Sequence, residues 1–447
     1  MFKSIDFRSG NAIKNLILFA IPLMLGQLLQ NLYNTVDALV VGNFNGDAEL
    51  AAVSVCSTSS NVIVGFFVGI SVGAGVVASK AFGFGDKNNL NRTVKIIITF
   101  GVALGLIASC IGVLLVRPML DLSGARPDYY DKAYLYLIIF MAGVIFTCAY
   151  NFCAGTLRAI GNSTATLVIL AVSGVINVGL DLLFTGLLGW GVAGVAIATV
   201  IAQAVSFVIG VILICRNIGE KCFDIPLTFR NGGKVIKETL SIGVATGMQS
   251  AIISFSNTII FRYINMFDTA AVSGFGVGSK LDHFALIPLD CLGSAVSTGV
   301  GQNIGAGKYE RIKPIVYDGL IITTAASMLF GGTMLILARP LVGLFTDNPA
   351  TIAAGTQMVR TLTPLYWISA VRYTLAGALR AYGKSFWPSA TALFAMVGVR
   401  QLFLAIVMTN PKIDYVFWCY PVGWIAASIF ILIYYLLVRK ELKGLGQ

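Results

Sequence analysis

Apolar runs near twenty residues or longer recur from one end of this chain to the other, and no other feature constrains the fold as strongly. About twenty helical residues cross the hydrocarbon core of a bilayer, where every backbone N–H and C=O must find its partner within the protein. A soluble protein of 447 residues could bury a large core, but its surface would need far more charge than 11% of the residues supply. With 57% hydrophobic residues and a mean hydropathy of +0.84, the chain reads as a polytopic, all-α membrane protein. Twelve spans are expected, near 13–42, 48–79, 93–116, 132–157, 164–187, 191–215, 236–266, 269–303, 314–338, 353–380, 387–409 and 414–438. The first is too long and too polar-striped for a cleavable signal peptide.

The net charge of +11 does not point to nucleic acid. If the N-terminus is cytoplasmic and the spans alternate, the cytoplasmic side holds most of the 31 basic residues. The outer side holds only Arg117, Arg126, Lys132, Arg339, Arg360 and Lys412. That bias is the positive-inside pattern and places both termini in the cytoplasm, in a plasma membrane. The eight cysteines fall mostly inside spans, and there is a single histidine, so neither a disulfide framework nor a zinc site is expected. GFGVGSK (Gly274 to Lys280) looks superficially like a phosphate loop, but it lies in an apolar helix with no strand before it. Without a nucleotide site, uphill transport would draw on an ion gradient and need no cofactor.

The chain says the same thing twice. AGTLRAIGNS (Ala154 to Ser163) returns as AGALRAYGKS (Ala376 to Ser385), RPML at Arg117 returns as RPLV at Arg339, and FGFGDK at Phe82 is echoed by IGAGKY at Ile304. All three pairs share an offset of 222 residues. The expected organisation is therefore a first lobe over 1–215, a cytoplasmic linker over 216–235 and a second lobe over 236–447. The lobes are parallel six-helix repeats of the kind that enclose a midplane site in transporters. Such a repeat already supplies pseudo-symmetry, and a monomer is expected.

Carboxylates inside spans are expensive and usually functional. Asp37 is preceded by Gln27, Gln30, Asn31 and Asn34, and the spacing puts Gln30, Asn34 and Asp37 on one helix face. Asp37 lies five residues before Gly42 and Asp181 five before Gly186, where their spans exit outward. At 1.5 Å per residue both sit about 7–8 Å inside the outer boundary. Ser173, Asn177 and Asp181 form an i, i+4, i+8 stripe, and Thr199 and Gln203 are spaced i, i+4 on the next span. Two carboxylates with amide and hydroxyl oxygens can bind a sodium ion, and can equally share protons.

In the second half Asn257 and Thr258 echo Asn34 and Thr35, while Ile260 stands where Asp37 would. Its polar content lies instead in KLDHFALIPLDC, where Lys280, His283 and Asp290 lie broadly on one side and Asp282 points elsewhere. His283 reads equally as a proton relay or as a packed histidine beside an acid. Arg372 and Arg400 add positive charge in the tenth and eleventh spans.

The opening IPLMLGQLLQNLYNTVDALVVG, the glycine turns near FGFGDK and GQNIGAGK, and the duplicated AG-LRA-G-S segment together resemble the multidrug and toxic compound extrusion (MATE) family, over essentially the whole chain. The resemblance implies a twelve-helix, two-lobed, V-shaped antiporter, seated in the lipid bilayer, that expels amphipathic, often cationic drugs. It also implies a proton or sodium site in the first lobe at Asp37, Asn177, Asp181 and Thr199, and a bend at Pro22 when that site is protonated. Another branch of the family has a glutamate in the seventh helix where this chain has Gln249, so a second-lobe sodium site of that type is not expected. The main rival is a flippase for an anionic lipid-linked precursor on the same superfamily fold, with Lys280, Arg372 and Arg400 forming a basic cavity. No nucleophile, base and metal constellation suggests an enzyme.

Overall fold

The computed structural model describes residues 4–45, 47–123, 127–219 and 229–444, and among these residues there is no strand. The helices are α1 Ala12–Asn45, α2 Asp47–Gly83, α3 Lys87–Leu122, α4 Pro127–Ala159, α5 Ser163–Asp181, α6 Gly191–Ile218, α7 Phe229–Ile264, α8 Thr269–Gly305, α9 Ile312–Ile336, α10 Ala338–Gly343, α11 Pro349–Leu362, α12 Tyr366–Ala381, α13 Phe386–Leu393, α14 Arg400–Val407 and α15 Ile413–Gly444. Two π-helical segments, Leu182–Leu187 and Phe394–Val399, extend α5 and join α13 to α14.

Eleven of the described rods are long and apolar enough to cross a membrane. The remaining expected span, 353–380, is built in two pieces. A 3-10 turn, Thr363–Leu365, separates α11 from α12. Pro364 in that turn has no N–H to give and crowds the carbonyl four residues back, which weakens the helix at the place where it breaks.

The duplicated sequence motifs are helix ends. Gly161 follows α4 with φ 83° and Gly383 follows α12 with φ 80°. In the first copy the N–H of Asn162 bonds to the carbonyl of Leu157, and in the second Lys384 bonds to Leu379, at 2.9 and 3.0 Å. This C-terminal cap needs a left-handed residue, which glycine adopts without a steric penalty. The glycines upstream set helix spacing. A Cβ on Gly155 would stand 3.0 Å from the carbonyl oxygen of Ser71 in α2, and one on Gly377 would stand 2.3 Å from that of Gly293 in α8. Small residues let backbones approach this closely in a bilayer, where packing rather than water exclusion holds helices together.

Contacts divide the chain into two compact units, Met1–Asp6 with Ile21–Gly247, and Phe7–Ala20 with Met248–Gln447. The sequence suggests a division at the basic linker, of which 220–228 lies outside the described residues. The contacts instead change partners inside α1 and α7. In the second unit the N–H of Phe7 donates to Gln302 Oε1 and Asn303 Nδ2 donates to Phe7 O, each at 3.0 Å. Arg311 Nη2 donates to Gly10 O at 2.7 Å, and Phe7 packs edge-on to Phe19. In the first unit the early turns of α7 lie on α2, where Gly243 and Gly247 meet the backbone of Ile70 and Phe66 and Lys80 pairs with Glu238 at 2.8 Å. Among the described residues no disulfide joins the seven cysteines.

Candidate functional site

In the first unit the expected stripe on α5 faces inward, with Ser173, Asn177 and Asp181 at 6%, 2% and 0% exposure. The α-helix stops at Asp181 and gives way to the π-helical turn, which re-aims the chain there. The side chains of Asp37 on α1 and Asp181 on α5 approach within hydrogen-bonding reach of each other. Two carboxylates offer no donor, and Asp37 Oδ1 and both Asp181 oxygens are buried without a hydrogen-bond partner. Asn177 Oδ1 and Nδ2 and Gln203 Oε1 are buried and unpartnered as well. Tyr136 from α4, 8% exposed, lies in electrostatic reach of both acids. Buried polar atoms in folded proteins nearly always find a partner. A group of orphaned oxygens around two acids is a place where a proton or a small cation would supply what is missing.

The other first-lobe candidates are less enclosed. Thr199 is half-buried and its hydroxyl donates to the carbonyl of Val195 at 3.0 Å. Gln30 and Asn34 are exposed, and Gln30 shares a side-chain hydrogen bond with Tyr33, which neighbours Asp37. Pro22 lies inside the unbroken helix α1, two residues past the point where that helix changes units.

The second unit holds a polar group of different make-up. Arg400, which opens α14 after the π-helical segment, is only 2% exposed. Its Nη2 donates to Ser256 Oγ at 2.7 Å and to Asn257 Oδ1 at 3.0 Å, and the guanidinium lies 5.5 Å from the ring centre of Tyr420. Gln401 Nε2 donates to the same Ser256 hydroxyl at 3.0 Å. Arg400 Nε is buried without a partner, and among the described residues no carboxylate pairs with this arginine. Asp282 is 8% exposed and accepts a 2.9 Å hydrogen bond from the hydroxyl of Tyr366. Between the two charges runs an aromatic series, Tyr366 to Trp424 at 5.5 Å and Trp424 to Tyr420 at 6.3 Å.

Lys280, His283 and Asp290 are exposed on α8 while Asp282 is buried, in line with the helical spacing. Lys280 Nζ lies 5.8 Å from the ring of Phe345, and Arg372 lies 4.1 Å from that of Tyr373. The three basic residues thus point to different partners. Gln249 is half-buried on α7. Ser256, Gln401 and Tyr366 were not expected from the sequence. Tyr366 is 84 residues from Asp282, and no local pattern joins them.

The MatE family model matches the chain twice, over residues 22–183 and 245–406, once in each half of the duplication. The "Probable multidrug resistance protein YpnP" of Bacillus subtilis is 29% identical over 423 residues, covering 91% of this chain and 94% of that protein. The "Multidrug export protein MepA" of Staphylococcus aureus is 22% identical over 382 residues, covering 85% and 83%. An outward-facing multidrug resistance MATE family transporter of the MOP superfamily superimposes with a TM-score of 0.89 at 19% identity, covering 100% of this chain and 99% of that one. Eleven described helices long and apolar enough to cross a membrane, two matches of one family model and a full-length fold match lead to one conclusion: the chain is a member of the MatE family, the multidrug and toxic compound extrusion transporters.

Proposed function

We propose that this protein exports amphipathic, cationic compounds from the cell by antiport with protons or sodium ions. Asp37 and Asp181 would form the ion site, with Asn177 and Thr199 completing it. The observation that carries this reading is the direct approach of the two carboxylates, with Asp37 Oδ1 and both Asp181 oxygens buried and unpartnered. A proton between them, or a cation on them, removes the repulsion and satisfies the orphaned acceptors. Ion entry then alters the hydrogen bonding of α1, which bends near Pro22 and weakens the drug site. A ligand moves such an equilibrium only through its different affinity for the two states, so drug and ion exclude one another. The protein works as a monomer in the plasma membrane with both termini cytoplasmic, and needs no cofactor.

The test is efflux of a cationic dye from proteoliposomes, under a pH gradient alone or a sodium gradient alone, comparing wild type with Asp37→Asn. Efflux under one gradient and its loss in the variant name the ion and place the coupling. Wild-type efflux that ignores both gradients overturns the antiport reading.

One observation favours the rival cargo. Arg400 is a buried guanidinium that pairs with no carboxylate among the described residues, as an anionic headgroup would require. Scrambling of a fluorescent anionic lipid by the protein, lost in Arg400→Gln and intact in Asp37→Asn, selects the flippase.

A further inference from the structure

One end of the second unit carries a site that the transport mechanism leaves unused. A cavity of about 880 Å³ opens between α10, α11 and α15, lined by Arg339, Arg360, Thr356, Gln357 and Trp418 with apolar side chains between them. Both arginines are exposed, and among the described residues neither has an ion-pair partner. The nearby carboxylate of Asp414 accepts a hydrogen bond from Gln357 Nε2.

The internal repeat supplies a reference for this cavity. At the offset of 222 residues, Arg339 corresponds to Arg117 and Pro349 to Pro127. In the first unit the guanidinium of Arg117 is capped by the ring of Tyr134 at 5.5 Å. The counterpart of Tyr134 is Thr356, which leaves the ring's space open and the Arg339 guanidinium uncovered. Ile138 is replaced by Arg360, so a second guanidinium enters the same wall. The acids Asp121, Asp128 and Asp131 correspond to Gly343, Ala350 and Ala353. Arg126 and Lys132 likewise give way to Asn348 and Ala354, and Ala125 to Asp347, so the net charge of this stretch rises by one. Relative to its own duplicate, this end has lost an aromatic lid and placed a second arginine in the cavity wall.

We propose that the cavity binds the phosphate-bearing headgroup of an anionic phospholipid. Two guanidiniums present planar, paired donors that suit a phosphate's oxygens. Trp418, 45% exposed, is a residue type that settles at headgroup depth. Leu337 and Leu344 flank α10 at its two ends and are both exposed, so they offer apolar surface to acyl chains. A soluble anion would gain nothing from those side chains, and a lipid would.

The experiment uses the purified full chain in neutral detergent. Its thermal midpoint is titrated with short-chain phosphatidylglycerol, with phosphatidylcholine of the same chains, and with inorganic phosphate alone. Phosphatidylglycerol is expected to raise the midpoint saturably and phosphatidylcholine is not. Arg339→Gln with Arg360→Gln should weaken the response at least tenfold. Thr356→Tyr, which restores the first unit's residue and keeps both charges, should weaken it as much, and Arg117→Gln should leave it unchanged. An equal response to both lipids overturns the proposal, as does a full response that survives Thr356→Tyr. A response reproduced by inorganic phosphate alone assigns the cavity to a soluble anion and overturns the lipid.

Discussion

Burying an acceptor without a donor costs roughly 1–3 kcal/mol, and at Asp181 two such oxygens stand beside a second carboxylate. Exchanging a carboxylate for an amide separates a structural role of these acids from a role in ion coupling. Asp181→Asn and Asp37→Asn each provide a donor to the other acid. Either variant should unfold at the same temperature as wild type or higher, by an amount worth about 1–2 kcal/mol, while gradient-driven efflux falls at least tenfold. A thermal scan together with dye efflux decides it; loss of stability together with activity would mean that the acids are structural. The second unit's acid behaves oppositely, because its partner is already in place. Tyr366→Phe removes the hydroxyl that donates to Asp282 and leaves a buried oxygen unsatisfied. That variant should lose about 1–3 kcal/mol of stability in the same scan, and a midpoint equal to wild type would contradict the hydrogen bond.

At the scale of the helix, glycine positions decide how near two rods can lie. A methyl group at Gly377 would press against the carbonyl oxygen of Gly293, and both positions are backbone held by neighbouring turns. Gly377→Ala is therefore expected to destabilise by about 1–3 kcal/mol through overpacking. Gly332→Ala on α9, where nothing lies within 4 Å, should be neutral or stabilising by up to about 1 kcal/mol from helix propensity. Chemical or thermal unfolding of the pair tests the contrast, and equal effects would remove the close-approach argument. The same elements explain what could be read from the sequence. The eleven long described helices were legible because apolar length is written in consecutive residues. The repeat was legible because its best-preserved letters, such as Gly161 and Gly383, are caps that admit few alternatives. The stripe on α5 was legible from its four-residue spacing. The change of partners inside α1 and α7 was not, since hydropathy records that a residue is buried and not which neighbour buries it. The 3-10 break at Thr363–Leu365 had only Pro364 to announce it, and Tyr366 met Asp282 through the tertiary fold alone.

For the whole molecule, the telling feature is that α1 belongs to both units. Phe7–Ala20 is fixed to the second unit by the bonds to Gln302, Asn303 and Arg311, while Ile21 onward, including Asp37, belongs to the first. A change at Asp37 can thus be carried by one continuous helix to a segment anchored elsewhere, and Pro22 stands two residues beyond the changeover. Proline there withholds one helical hydrogen bond, that of its own missing N–H with Leu18, and so makes the rod easiest to bend at this place. Pro22→Ala restores the bond and stiffens α1. If bending links ion binding to export, the variant should keep the wild-type response of its ion site, read as proton uptake or sodium-dependent stabilisation of the purified protein. Its turnover in proteoliposomes should fall several-fold. The separation of the two readouts is what distinguishes a hinge from a misfolded helix, which would lose both. Export at the wild-type rate by Pro22→Ala would mean that the units change state without a bend in α1, and that the link from Asp37 runs through α5 and the π-helical turn behind Asp181 instead.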